Sequence, residues 1–162
     1  MPALIRISVL VVTTALCASA AVAQGKIADL RTHFLREPNP VNKAKLMPQL
    51  GDAEFAEIDA DVTQEKLPEA LDVLQHYRDE VESCDKGLAA TGVNAEKHPG
   101  GFKQLQFSLR DSLRRLDIVV VNMTSDEQAP FLAIRADLSE INLRLIQHLF
   151  PYETPPNPAN AK

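Results

Sequence analysis

Cys84 is the first residue to weigh for chemistry, since the only other cysteine, Cys17, lies in the apolar run at the N-terminus. A thiol becomes a nucleophile near neutral pH when a base or a cation is fixed beside it. His76 is the nearest histidine in sequence, but two helical turns separate the pair by roughly 12 Å of rise. That is too far for proton transfer. A thiol-dependent enzyme or redox protein centred on Cys84 therefore needs a partner from another element. Without one, Cys84 reads as a small apolar residue on the stripe Tyr77, Val81, Cys84 and Leu88, which steps by three and four.

Other patterns that carry chemistry are missing. None of His33, His76, His98 and His148 has a Glu three residues before it, as a carboxylate-bridged metal pair in a helical bundle requires. There is no Cys-x-x-Cys, no His-Glu-x-x-His and no Gly-x-Ser-x-Gly. The expected catalytic, cofactor-binding and metal sites are none, and no cofactor is expected. Glu80, with Asp79 and Glu82 beside it, reads as solvated charge.

One row is suited to binding instead. Lys103, Arg110 and Arg114 fall on one side of a helix with Phe107 among them, a candidate interaction surface for an acidic partner or anionic lipid. The preceding helix carries Glu69, Asp72, Asp79, Glu80, Glu82 and Asp85. Opposite signs on successive helices make pairing between the two the leading expectation, each exposed pair contributing only tenths of a kcal/mol.

The elements that position these residues follow from periodicity. Leu67, Ala70, Leu74, Tyr77, Val81, Cys84 and Leu88 form one helical stripe. Phe102, Leu105, Leu109, Leu116, Val119 and Met123 form a second, and Phe131, Ile134, Leu138, Ile141, Leu145 and Leu149 a third. The second helix is apolar on more than one face near "DIVVVNM", which predicts burial on two sides and a central place. Ile27, Leu30, Phe34 and Leu35 predict a short helix. Asn39-Pro40 caps another that ends at Gly51, and Phe55, Ile58 and Val62 mark a third short one. The expected fold is all-α: an antiparallel bundle of three long helices with short N-terminal helices packed across it.

The ends complete the organisation. Arg6, an apolar run and Ala21-Val22-Ala23 make the pattern of a secretory signal peptide over residues 1–23. A single helical domain is expected over 24–150, and a Pro-rich disordered tail over 151–162. Removing Arg6 makes a chain of net charge −5 one unit more negative, which argues against nucleic acid. The implied location is periplasmic or secreted, with membrane contact only if the N-terminal segment is retained. The functional expectation is an exported, non-enzymatic protein that acts by protein binding (adaptor, scaffold or holdase-like), another envelope protein being the expected partner. Sequence leaves the oligomeric state open.

Overall fold

A computed structural model describes residues 25–151; the signal-peptide reading of residues 1–23 and most of the tail fall outside them. The described chain is helical, with no strand. A helix α1 over residues 25–36 precedes four long ones: α2 (Pro40–Thr63), α3 (Leu67–Ala90), α4 (Gly100–Val120) and α5 (Ser125–Leu149). All-α is the fold class, and the long helices number four rather than three.

The difference lies in α2. Asn39 caps it as expected, its side-chain oxygen accepting from the N–H groups of Val41 and Asn42 at 2.9 and 3.2 Å, with Pro40 in the first turn. The helix then runs through Pro48 and Gly51 without ending. Gly51 is a contact residue and not a stop: a Cβ there would lie 3.1 Å from the Tyr77 ring. Packing of α2 against α3 outweighs the local breaking tendency of Pro48 and Gly51. At the start of α4, Gly101 has a similar part, since a Cβ would come within 2.6 Å of Leu88 and 3.2 Å of the Val41 backbone.

Cross-element pairs give the arrangement. Gly51 meets Tyr77 while Pro40 meets Gly87, so α2 and α3 run in opposite directions. Gly101 meets Val41 while Arg115 meets Asp52, so α2 and α4 run in the same direction. Arg78 pairs with Asp137 and Arg144 with Asp85, which sets α3 and α5 parallel. Gln106 bonds Asn142, and Asp117 pairs with Arg135, which sets α4 and α5 antiparallel. The helices follow one another around a square in the order α2, α3, α5, α4, with α3 and α4 facing across a diagonal. Thr124 opens α5 with a capping box, its backbone N–H donating to Glu127 at 2.8 Å.

This order revises three expectations. The acidic residues of α3 do not meet the basic row of α4, because the diagonal separates them; Asp85 pairs with α5 and Glu80 with α1. No helix is central, so α4 buries one stripe, and Ile118 (70% exposed) and Val121 (68%) stay outside. On α1, Ile27 and Phe34 are buried while Leu35 points to solvent. One apolar cluster includes residues of all five helices.

Candidate functional site

The candidate row lies on the outer face of α4. Lys103, Phe107, Arg110 and Arg114 step by four, three and four, so they stand in one line. All four are exposed, and Ile118 and Val121 continue the line to the end of the helix. Phe107, 44% exposed, is held between two cations: Lys103 Nζ lies 5.5 Å and the Arg110 guanidinium 5.3 Å from its ring centre. Arg114 stands 3.6 Å from Asp111, an exposed pair of little strength. The structure thus brings Lys103, Phe107 and Arg110 into contact and sets Arg114 one turn further along. Ile118 and Val121 were placed by sequence in the core; the diagonal arrangement turns them into part of this surface.

At the foot of the row is a groove of about 480 Å3, lined by Lys103, Gln106 and Phe107 of α4, Leu149 and Phe150 near the end of α5, and the connector before α4. Its walls are mostly apolar, with Lys103 and Glu96 as charged groups. Such a groove accepts one or two large side chains. It lacks the converging polar groups that would orient a small substrate.

A second polar cluster was not foreseen. Arg31 of α1 donates from Nε to Glu54 at 2.8 Å and lies 3.6 Å from Glu80, where α2 and α3 meet. Glu54 is fully buried and Glu80 nearly so. Burial pushes both carboxyls above their usual range, and the neighbouring Glu54 charge helps carry Glu80 up to about 8. Two carboxylates beside one guanidinium cannot both ionise cheaply, which favours the neutral form of Glu80. Sequence held the signal: Glu54 and Glu80 each fall within the buried arc of their helices, near Phe55 and Ile58, and Tyr77 and Cys84. Next to this cluster Tyr77 donates to Ser112 at 2.7 Å, and burial raises its phenol far above the ordinary range.

The groove beside Phe107 is lined by neither Glu54 nor Glu80, and the pair joins α1, α2 and α3 through Arg31. Cys84 is fully buried; burial first, then the charges of Glu80 and Asp85, push its thiol up to about 12. The histidines stay apart: His76 bonds its own helix at Asp72, and His148 packs on Phe102. Among the described residues no group of His, Cys, Asp or Glu has the geometry to hold a metal ion, and no helix is long and apolar enough to cross a membrane.

Comparison of the chain with protein-family models, with characterised proteins and with solved structures finds no match.

Proposed function

We propose that this is an exported, non-enzymatic helical protein that binds another protein of the envelope, in an adaptor, scaffold or holdase-like role. The observation that carries the reading is the outer line of α4, where three cations and three large apolar side chains stand exposed together on a protein of net negative charge. An exposed apolar patch costs solubility, and partner binding is the usual function that offsets this. Export rests on the signal-peptide pattern of residues 1–23. A thiol-centred enzyme has less support, since a reactive cysteine needs access and a depressed pKa, and Cys84 has the reverse of both.

The test compares proteins recovered with the mature wild-type chain from its own envelope against those recovered with a Phe107→Ala, Ile118→Ala double variant. A partner recovered stoichiometrically with the first and lost with the second is the expected result. Equal recovery, or recovery lost only when an α3 surface residue such as Asp79 is changed, sinks the reading.

A further inference from the structure

Two opposite edges of the square are alike in geometry and differ in what covers them. Across the α2–α3 edge lies α1, with Ile27 and Phe34 buried and Arg31 reaching Glu54 and Glu80. The α4–α5 edge has no described helix across it. Yet α4 exposes Phe107 there, beside Leu149 and Phe150; Ile118 borders the α2 side, near Pro48 and Asp52. Leu132 and Leu143 are exposed on α5, eleven residues and so three turns apart on one side of that helix. Arg135 and Asn142, which reach Asp117 and Gln106 of α4, place that side along the same edge.

One charge on this edge is unusual for the molecule. Among the described residues Arg110 is the one arginine of the four long helices in no ion pair, and Lys103, like every described lysine but Lys86, is in none either. Both lie over Phe107 instead. Asp117, the nearest acid on the α5 side, is neutralised by Arg135.

We infer that the α4–α5 edge is the docking surface for an amphipathic helix of the partner protein, one whose apolar stripe is flanked by Asp and Glu. This rests on the binding reading above and adds the chemistry of the partner. The line from Lys103 to Val121 extends about 27 Å, the length of an 18-residue helix. An apolar stripe laid between α4 and α5 covers Phe107, Leu132 and Leu143, with its anchor side chain in the groove beside Phe107. Acidic flanks then meet Lys103 and Arg110, which have no ion pair among the described residues to give up. An anionic bilayer fits less well, because a lipid surface places no anchor side chain in the groove beside Phe107.

The experiment has two arms. In the first, the full chain carries photoreactive benzoylphenylalanine in place of Phe107, or of the α3 surface residue Gln75 as a control, and is irradiated in its own envelope. In the second, the purified protein meets two 20-residue helical peptides with the same leucine stripe, flanked by Glu in one and by Lys in the other, and vesicles containing phosphatidylglycerol. The expected results are a cross-link at 107, absent at 75, to an acidic amphipathic segment. The Glu peptide should bind at least tenfold tighter than the Lys peptide, and Arg110→Glu should abolish the preference while circular dichroism stays unchanged. A cross-linked segment without acidic flanks, or a peptide preference indifferent to Arg110→Glu, overturns the inference and leaves the binding reading standing. Arg110-dependent binding of vesicles without binding of the Glu peptide overturns it in favour of a membrane. Absence of any cross-linked protein at 107 overturns both.

Discussion

At the residue scale, Cys84 shows how burial silences chemistry. The thiol sits in the core, among groups that disfavour its thiolate, with Glu80 and Asp85 close by and only Lys43 acting the other way. Its place in the Tyr77–Leu88 stripe was legible, because free cysteine on a helical stripe behaves as a small hydrophobe. Maleimide labelling of the native protein at neutral pH should be slower by orders of magnitude than in denaturant, and no covalent dimer should form. Cys84→Ala should cost about 1 kcal/mol, the scale of removing one methyl-sized group from a core, read from denaturant unfolding. Rapid native labelling would contradict this packing.

At the scale of the element, the attachment of α1 is the instructive case. Three residues from three helices meet: Arg31 from α1, Glu54 from α2 and Glu80 from α3, with Asp79, His76 and Tyr77 as the nearest titratable neighbours on α3. Glu80 has a higher pKa folded than unfolded, where a glutamate titrates near 4.3. The unfolded chain therefore releases this proton first as pH rises. The stability from neutral Glu80 is complete below the ordinary carboxylate range and is lost as pH climbs toward 8. Glu80→Gln keeps a neutral donor of the same shape facing Glu54. Its thermal midpoint should match that of the wild type near pH 4 and exceed it increasingly toward pH 8. A gap that stays constant with pH would mean that Glu80 is ionised in the folded protein. Glu54→Ala should be costly at every pH, since it leaves Arg31 without its main partner.

At the scale of the whole molecule, α4 keeps an outer face that no described helix covers. Ile118 and Val121 are large apolar residues that nothing covers among the described residues, so folding gains little from them. Ile118→Ser with Val121→Ser should leave the unfolding free energy within about 0.5 kcal/mol of the wild type. The same variant should lower concentration-dependent light scattering, because it reduces an exposed apolar patch. A loss of several kcal/mol would place these residues in a core. Such a result would also turn the functional reading away from α4.

Helical content and the inward residues of α3, α4 and α5 were determined by the sequence alone, because a 3.6-residue period in apolar side chains is a local property that burial rewards in any bundle. The N-cap at Asn39 was legible for the same reason: its bonds join residues two and three apart. Local rules failed where a neighbour decided. Gly51 read as a stop, but its missing Cβ makes room for Tyr77, a contact across 26 positions that no window contains. Glu80 read as solvated charge until Arg31 of α1 and Glu54 of α2 closed over it. Lys103, Phe107, Arg110 and Arg114 were placed on one row by spacing. Only the tertiary structure turned Ile118 and Val121 outward to lengthen it, because exposure depends on which helix packs where, and the diagonal crossing from α3 to α4 is set by the summed packing of all the helices.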